Sequence, residues 1–474
     1  MGLARQRASD PSRRQLAANH LGQDQLIPLC VDLDGTLVKT DVLFESAAAA
    51  LKAEPLLAFA LPFWLLRGRA ALKSELARRG EVDVSALPYD TQVLDELRRQ
   101  RAAGRRIVLA TAADSHVAQR VADHLGLFDE VIASDGERNL KGDAKAQALV
   151  DKFGERGFEY MDEAGHGDAI WKHAAEARVV LRERNGAAAI LRELRVFQWA
   201  KNLLVFVPLV TAHAVSRGTL LAELAAFVAF SLVASSVYLL NDLADLQDDR
   251  RHSTKRMRPL AAGDVSITAA LVLWPLLIAG ATALAWQLPL AFGALLLLYL
   301  AINLAYSLGL KRIALLDVFV LAALYTLRIL AGAAAIEVPV SHWLLAFSLF
   351  AFLSLAIVKR FVEVSGVASR DEDRVGGRGY LAGDGQLLGM LGTASAYLAV
   401  LVFALYITSP QVVVLYRSPE VLWCAVPLLL YWMSRVWFLA HRGQLHEDPV
   451  LFALRDPQSY AVGLLILLAM LAAT

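Results

Sequence analysis

The pattern of hydrophobic and polar residues changes character near residue 195. Before this point, short apolar runs alternate with charged, helix-like stretches; beyond it, long runs of Leu, Ala, Val and Phe are separated by short charged loops. The short runs cover 26–31, 107–110 and 130–133. Strands that alternate with helices are typical of a parallel sheet of βαβ type. We therefore predict an α/β domain over 26–192, preceded by a polar segment over 1–25.

The second part of the chain is dominated by segments that are long and apolar enough to cross a membrane. A spanning helix needs about 20 apolar residues, and nine segments come near this length. They cover 199–215, 219–240, 268–286, 288–308, 314–334, 341–358, 388–409, 420–439 and 458–473. We therefore predict that 193–474 forms an all-α, polytopic membrane domain with about nine transmembrane helices.

The distribution of charge predicts the orientation of these helices. Hydrophobic residues make up 57% of the chain and the formal net charge is only +1, so the loops carry the signal. Lys and Arg concentrate in the loops after the second, fourth, sixth and eighth spans, whereas the opposite loops carry little beyond Arg217 and Arg417. The segment 1–25 lacks the apolar stretch of a secretory signal. By the positive-inside rule, we expect an inner (cytoplasmic) membrane protein whose α/β domain and charged loops face the cytoplasm.

One apolar stretch in the first part does not fit a spanning helix. Residues 51–66 are apolar, but the stretch is too short and too charged at its flanks to cross a bilayer. We interpret it as a cap helix of the α/β domain that can rest on the membrane surface.

An acidic motif follows the second span. Asn241, Asp242, Asp245 and Asp249 recur at positions i, i+1, i+4 and i+8, and on a helix the three aspartates share one face. Gathered carboxylates repel one another, and a hard cation such as Mg²⁺ bridging to substrate phosphates would offset this repulsion. Basic residues follow immediately and end with Arg258, which is consistent with an anion pocket. The alternative is a solvated charged loop beside a membrane helix.

This motif and its surroundings resemble a known superfamily. The run NDLADLQDD resembles the first aspartate motif of the UbiA-type prenyltransferases, and the following RRHSTKRMRPLAAGDVS is similar to the decaprenyl-phosphate phosphoribosyltransferase branch. The resemblance covers about 195–460. Its further matches are 198–202, 306–311, Asp317, Arg328 and 359–363.

The resemblance implies a reaction and a set of site residues. Prenyltransferases that act on aromatic acceptors carry a second acidic cluster, whereas this chain has a lone Asp317 with Lys311 and Arg328, which suits a phosphate. The implied activity is transfer of 5-phosphoribose from phosphoribosyl pyrophosphate to a polyprenyl phosphate. In this interpretation, Mg²⁺ is held by Asp242, Asp245 and Asp249. Substrate is bound by Lys201, Asn241, Arg258, Lys311, Arg312, Asp317 and Arg328.

Other functions remain open at this stage. One alternative is transfer of an isoprenoid chain from a prenyl pyrophosphate to an aromatic or other acceptor, with the α/β domain as an accessory. A lipid transporter or scaffold is a different class, against which the concentrated aspartates argue. An i,i+4 helix pair explains Lys359 and Glu363 about as well as substrate binding does. A turn before the last span explains residues 446–449 nearly as well as a functional role. Membrane lipids are expected partners, nucleic acid is not, and oligomerisation is left open.

The α/β domain carries a second motif. Asp32-Leu33-Asp34-Gly35-Thr36-Leu37 resembles motif I of the haloacid dehalogenase (HAD) phosphatases, which implies a Rossmannoid fold. Asp32 would then be the nucleophile and a Mg²⁺ ligand, and Asp34 the acid that protonates the leaving oxygen. Thr111 matches the second motif, and Lys145, with Lys141 in reserve, the third.

The fourth HAD motif departs from the family pattern. The family expects a Gly-Asp pair of acids for Mg²⁺, and this chain offers Glu163 with Asp168, or Asp162 with Asp168, in YMDEAGHGD. We take Asp168 as the metal ligand, and the altered motif puts phosphatase activity in question. Fusion of the two domains suggests that the HAD-like domain dephosphorylates the lipid-linked product.

Overall fold

The computed structural model describes residues 27–135, 137–181, 185–368, 375–409, 416–445 and 448–474. The predictions for the segment 1–25 and for His446 and Glu447 lie outside these residues. The chain divides into two compact units. The N-terminal unit contains the described residues up to Glu193 together with Leu239–Val272, and the bundle unit contains Leu194–Tyr238 and Leu273–Thr474. Residues 239–272 were predicted to be part of the membrane domain, but by packing they belong to the N-terminal unit.

The N-terminal unit is built on five parallel strands in the order β3-β2-β1-β4-β5. The predicted parallel α/β architecture is therefore confirmed. The strands are β1 Leu29–Val31, β2 Ile107–Asp114, β3 Glu130–Ser134, β4 Glu159–Glu163 and β5 Glu176–Val180. The helices are α1 Val42–Ala53, α2 Leu61–Leu66, α3 Arg69–Arg79, α4 Thr91–Ala102, α5 Ser115–Leu125, α6 Asp143–Phe153, α7 Asp168–Trp171 and α8 Ala187–Glu193.

Strand β1 lies at the centre of the sheet, between β2 and β4. Its alternating side chains enter two different cores, Leu29 and Val31 on one face and Cys30 on the other, as the two-residue period of a strand requires. Helices cover both faces, so β1 is apolar throughout. The residue that follows this strand, Asp32, is thereby fixed at the carboxyl end of the sheet, where α/β proteins bind ligands.

The predicted cap helix over 51–66 is broken in the structure. Helix α1 ends at Ala53, a 3₁₀ turn covers Pro55–Phe59, and α2 follows. Pro55 is the first residue of the 3₁₀ turn and Pro62 the second of α2, and a proline disrupts a preceding helix because it lacks an N–H. The cap is therefore three short pieces followed by α3.

The described residues of the membrane half contain seven helices that are long and apolar enough to span, and two shorter apolar helical segments, Val196–Thr211 and Pro457–Ala473. The protein is a multi-pass integral membrane protein, and the predicted number of about nine spans is confirmed. The 3₁₀ helix Val196–Phe206 precedes α9 Val207–Thr211. The remaining helices are α10 Arg217–Ala244, α11 Leu246–Arg251, α12 Pro259–Ala262, α13 Ile267–Ala285, α14 Leu290–Leu308, α15 Leu316–Ala335, α16 His342–Ala368, α17 Gly385–Ile407, α18 Ala425–His441, α19 Pro449–Ala453 and α20 Pro457–Ala473.

Close backbone packing holds α15 in the bundle unit. Gly332 of α15 lies against the backbone of Val205, and a Cβ atom on this glycine would overlap the Val205 carbonyl oxygen. Small residues allow membrane helices to approach closely, since lipid supplies no hydrophobic driving force between them.

We expect Gly332→Ala to destabilise the bundle unit by about 1–3 kcal/mol, because the backbone of Val205 must move to admit the methyl group. Gly293→Ala, on α14, is the matched control, since a Cβ there meets nothing within 4 Å. Thermal unfolding of the purified protein in detergent compares the two variants. Equal midpoints for both would contradict this account of the packing.

Candidate active sites

The first candidate site is a cavity of about 500 Å³ at the carboxyl end of the sheet. Asp32, Asp34, Lys145, Asp162 and Glu163 are among the residues that line it. Strands β1 and β4 end beside one another, and this explains why acids that are 130 residues apart in sequence, Asp32 and Asp162, meet here. The structure therefore brings three of the sequence-predicted residues, Asp32, Asp34 and Lys145, to one place.

Lys145 and Asp32 form a buried ion pair. The Lys145 Nζ lies 2.7 Å from Asp32 Oδ1 and donates to Tyr160 Oη at 2.9 Å. Both charged side chains are almost fully buried, so each requires the other. The pair fixes the rotamer of Asp32 and leaves a carboxylate at the cavity wall.

A tight turn at Gly35 sets the orientation of Asp34. Gly35 adopts a φ of 85°, in the left-handed region that glycine enters without strain, and its N–H donates to the Val38 carbonyl at 2.9 Å. The turn directs Asp34 toward the start of α1, where its Oδ1 accepts the N–H of Val42 at 2.8 Å. Burial, together with the charges of Asp41 and Asp32, raises the pKa of Asp34 well above its ordinary value. A raised pKa lets a carboxyl keep its proton to higher pH, which favours a role as general acid.

The structure does not bring Asp168 to the cavity. Asp168 begins α7 and is exposed, whereas Asp162 and Glu163, at the end of β4, line the cavity. Asp162 Oδ1 accepts hydrogen bonds from Thr36 Oγ1 at 3.1 Å and from the N–H of Glu163 at 2.7 Å. Burial and the nearby charge of Asp32 raise the pKa of Asp162 to about 6. Like charges held this close would be relieved by a hard cation, so Asp32 with Asp162 is the pair that fits Mg²⁺.

Thr111 also differs from expectation. Strand β2 continues to Asp114 instead of ending at Thr111, because its pairing with β3 resumes at Asp114 after a register shift. The hydroxyl of Thr111 is fully buried and accepts the N–H of Ala113 at 3.0 Å. Its role as a phosphate ligand stays a prediction.

Sequence reasoning missed Lys73. This residue of α3 lines the cavity, and its Nζ donates to the Ala112 carbonyl at 2.6 Å and to Asn139 Oδ1 at 3.1 Å. Burial lowers its pKa, although Asp34 and Asp41 oppose this shift. No local pattern distinguishes Lys73 from a surface lysine, since only the folded cap brings α3 over the sheet.

The second candidate site is the aspartate motif within Leu239–Val272. Helix α10 ends at Ala244 and α11 begins at Leu246, so the predicted single helix is interrupted by a turn at Asp245. Arg258 Nη1 contacts both Asp242 Oδ1, at 2.9 Å, and Asp249 Oδ2. Burial raises the pKa of Asp249, and the charge of Arg258 opposes this. Because one cationic group bridges two motif carboxylates, these acids are close enough to share a cation, as the Mg²⁺ interpretation requires.

A buried ion pair joins this motif to the α/β fold. Arg250 donates to both carboxylate oxygens of Glu45 in α1, at 2.8 and 2.7 Å, and to the Ala261 carbonyl at 3.0 Å. The Glu45 side chain is 0% exposed and that of Arg250 4%. Exposed pairs join the same two parts, Lys52 with Asp248 at 2.6 Å and Arg251 with Asp83 at 2.7 Å. The segment that carries the motif is thus packed on the phosphatase-like fold.

The bundle unit contains a third group of charges, around Asp317. This buried carboxylate accepts from Arg360 Nε and from Tyr380 Oη, each at 2.5 Å. Arg378 lies 3.7 Å away. Asp317 was predicted to bind a phosphate together with Lys311 and Arg328. Arg328 lies eleven residues along α15, a rise of about 16 Å, and so cannot share one small ligand with Asp317.

Arg328 instead belongs to a separate polar network. It donates to Asn202 Oδ1 at 2.8 Å and to Tyr299 Oη at 2.9 Å. Its guanidinium also lies over the ring of Tyr325, 5.3 Å from the centroid. Lys201 lies over the same ring at 6.0 Å.

Two lysines of the bundle unit converge on Asp448. The Nζ atoms of Lys201 and Lys359 lie 2.8 and 3.3 Å from Asp448 Oδ2. Burial opposes ionisation of Asp448, but the two lysines prevail and lower its pKa to about 2. The i,i+4 pair of Lys359 with Glu363, one of the two explanations left open for these residues, is not formed, because Glu363 contacts Arg360 and Arg378 instead. Two cations on one carboxylate leave an excess positive charge, which suits an anionic ligand.

Among the described residues, no group of three or more His, Cys, Asp or Glu side chains forms a ready-made metal cage. Each proposed Mg²⁺ site here offers two carboxylates close together, Asp32 with Asp162 and Asp242 with Asp249. One or two carboxylates are the usual protein ligands of Mg²⁺, which keeps several water ligands and also binds substrate phosphates.

Comparison with known protein families identifies two matching regions of the chain. The model of the UbiA prenyltransferase family matches residues 203–456. The chain belongs to the UbiA prenyltransferase family. The model of haloacid dehalogenase-like hydrolases matches residues 29–171, so this UbiA-family chain carries an N-terminal HAD-like domain, as the motifs predicted.

Individual relatives add detail. Uncharacterized protein y4nM of Sinorhizobium fredii is 40% identical over 472 residues, which are 94% of this chain and 90% of that protein. The decaprenyl-phosphate phosphoribosyltransferase of Mycobacterium tuberculosis is 39% identical over 189 residues, 38% of this chain and 61% of that enzyme. A solved UbiA homologue from Archaeoglobus fulgidus, bound to GPP and Mg²⁺, aligns with a TM-score of 0.45 at 17% identity, covering 60% of this chain and 98% of that one.

We expect Asp162→Asn to lower phosphatase turnover of the HAD-like domain on the order of 100-fold, because it removes a carboxylate beside Asp32 that supports Mg²⁺. Asp168→Asn is the matched control and should retain turnover within about threefold, since its side chain is exposed. Hydrolysis of a small phosphomonoester with added Mg²⁺ measures both. The opposite ranking would restore Asp168 as the ligand.

We expect Glu45→Gln to destabilise the N-terminal unit by about 3–5 kcal/mol, because it leaves the buried charge of Arg250 uncompensated. Lys52→Ala removes an exposed ion pair of the same two segments and should cost about 0–1 kcal/mol. The free energy of unfolding of each variant is measured in urea, with hydrogen exchange of the backbone amides in 239–272 as the readout. Similar stabilities would show that the buried pair does not hold the motif in place.

Proposed function

We propose that the chain is a Mg²⁺-dependent transferase that moves 5-phosphoribose from phosphoribosyl pyrophosphate to a polyprenyl phosphate, and that its HAD-like domain then removes a phosphate from the lipid-linked product. The observation that carries the transfer step is the chemistry around Asp317. A prenyl pyrophosphate held by a second Mg²⁺ would need a second cluster of acids. Instead, the described surroundings of Asp317 supply Arg360, Arg378 and Tyr380. The further acid among them, Glu363, is itself paired with these two arginines.

Similarity to the mycobacterial phosphoribosyltransferase supports the same assignment. The matched 189 residues are part of that enzyme, so the donor and acceptor remain our proposal. The roles of the individual residues in this reaction follow from the charges of their side chains. Asp242, Asp245 and Asp249 would hold Mg²⁺, which when bound neutralises the pyrophosphate and makes it a better leaving group.

The transfer step balances as a substitution at C1 of the ribose. The bond from C1 to the pyrophosphate oxygen breaks, and the pyrophosphate departs with the electron pair. An oxygen of the lipid phosphate forms the new bond to C1. Lys201 and Lys359, which share Asp448, would bind the anionic lipid phosphate and orient its oxygen. The cations that follow the aspartate motif, Arg258 among them, would bind the phosphates of the donor.

The phosphatase step uses the residues of the first cavity. Asp32 would attack the 5-phosphate of the lipid-linked phosphoribose and take up the phosphoryl group, while Asp34 gives its proton to the departing ribose oxygen. Lys145 holds Asp32 in position and would offset the charge of the phosphoryl group. A water molecule, with Asp34 now acting as base, would release phosphate from Asp32.

We expect Asp249→Asn to reduce the transfer of label from radiolabelled phosphoribosyl pyrophosphate into the lipid fraction by about 100-fold or more. Asp248→Asn lies one residue away on an exposed surface pair and should stay within about threefold of wild type. Chelation of Mg²⁺ should stop transfer in every variant.

The same assay separates the competing functions. If a prenyl pyrophosphate is consumed and phosphoribosyl pyrophosphate is not, the protein is a prenyltransferase and the phosphoribosyl proposal fails. If neither donor is consumed by protein that is folded and loaded with Mg²⁺, the transport or scaffold class takes its place.

A further inference from the structure

The cap of the HAD-like domain exposes a continuous set of large apolar side chains. We call residues 56–66 the apolar cap segment. Its exposed members are Leu56 at 77%, Phe59 at 82%, Phe63 at 61%, Leu65 at 54% and Leu66 at 87%. So dense a set within eleven residues is unusual for a surface in contact with water, and such patches mark interaction sites.

The segment is fixed in this arrangement by its own buried side. Leu57 and Trp64 are buried in a small core with Ala50 and Leu76, and Arg79 of α3 lies over the Trp64 ring at 5.2 Å. The side chains that could be buried within the cap are already buried. The exposed ones therefore need a partner outside this unit.

The charges around the segment favour a lipid surface. Between Glu54 and Glu75 the sequence contains no acidic residue, whereas Arg67 and Arg69 closely follow the segment. A short apolar helical segment followed by basic residues is typical of elements that lie at the boundary of headgroups and acyl chains, where cations meet anionic lipid. Seven helices in the described part of this multi-pass membrane protein are long and apolar enough to span a bilayer, so a lipid surface is always present at high effective concentration.

The same segment reaches the phosphatase cavity. Leu65 of α2 and Leu72 of α3 line the cavity together with Leu43 and Phe44 of α1, and Asp32 lines the same cavity. A ligand with its phosphate at Asp32 would thus have an apolar path along Leu65 to the exposed part of the segment.

We propose that the apolar cap segment lies in the bilayer interface and that the HAD-like domain takes a lipid-borne phosphomonoester from the membrane along Leu65 and Leu72. The choice of substrate class rests on the proposed function. The membrane contact does not, because it follows from the exposed side chains and their flanking cations alone.

The membrane contact is tested with a fluorescent label in the full chain. In a Cys424→Ser background, where the remaining Cys30 is buried, Leu66→Cys carries a bimane label and Arg98→Cys, on exposed α4 surface, serves as the control. Nanodiscs contain lipid with a nitroxide in the upper acyl chain. We expect quenching at position 66 to exceed that at position 98 severalfold, whatever the protein-to-lipid ratio. Equal quenching at both positions, or a signal that depends on a second copy at high protein density, would overturn the proposal.

The route of the substrate is tested by comparing two substrates. For the double variant Phe59→Ser and Leu66→Ser, we expect turnover of a polyprenyl phosphomonoester in vesicles, relative to turnover of p-nitrophenyl phosphate, to fall about tenfold or more. An unchanged ratio would overturn the membrane route. If wild type hydrolyses the soluble ester but no lipid phosphate, the substrate assignment of the proposed function fails, while the quenching result still decides the membrane contact.

Discussion

A buried guanidinium needs a buried anion, and the pairing of Arg250 with Glu45 determines how this chain is organised. Arg250 follows the last aspartate of the transferase motif, and it pairs with Glu45 of α1. The first N–H of α1, that of Val42, donates to Asp34. Removing either partner would leave a charge in an apolar environment. The aspartate motif and the cavity of the HAD-like domain are therefore attached to one helix. Residues 239–272 lie between two membrane helices in the sequence, but they belong to the N-terminal unit.

Within the bundle unit, charge is again buried in pairs and networks. Asp317 is satisfied by Arg360 and Tyr380, and Asp448 by two lysines. Intramembrane and juxtamembrane charges are costly and are retained for function. The two groups differ in net charge, because Asp448 lies beside two lysines and is outnumbered by positive charge. This excess is the feature that favours an anionic lipid headgroup there.

Local patterns were sufficient for the architecture and for part of the sites. Strand and helix periodicity predicted the parallel sheet and about nine spans, and the motif around Asp32 predicted its neighbour Lys145. Contacts between distant segments were not predictable, because no periodicity encodes them: Asp317 meets Arg360, 43 residues away, and Lys201 meets Asp448, 247 residues away. The choice between Asp162 and Asp168 depended on where β4 ends, and the break at Asp245 on the packing of α11 against the α/β fold. Neither is visible in residue spacing.

The central claim is that two consecutive reactions take place on one chain. Mass spectrometry of the lipid product made from phosphoribosyl pyrophosphate and a polyprenyl phosphate tests it most directly. We predict that wild type yields a lipid-linked ribose, whereas Asp32→Asn, with the transferase motif intact, accumulates the same lipid carrying one additional phosphate. Identical products from both proteins would contradict the claim that the HAD-like domain processes what the UbiA-family domain makes.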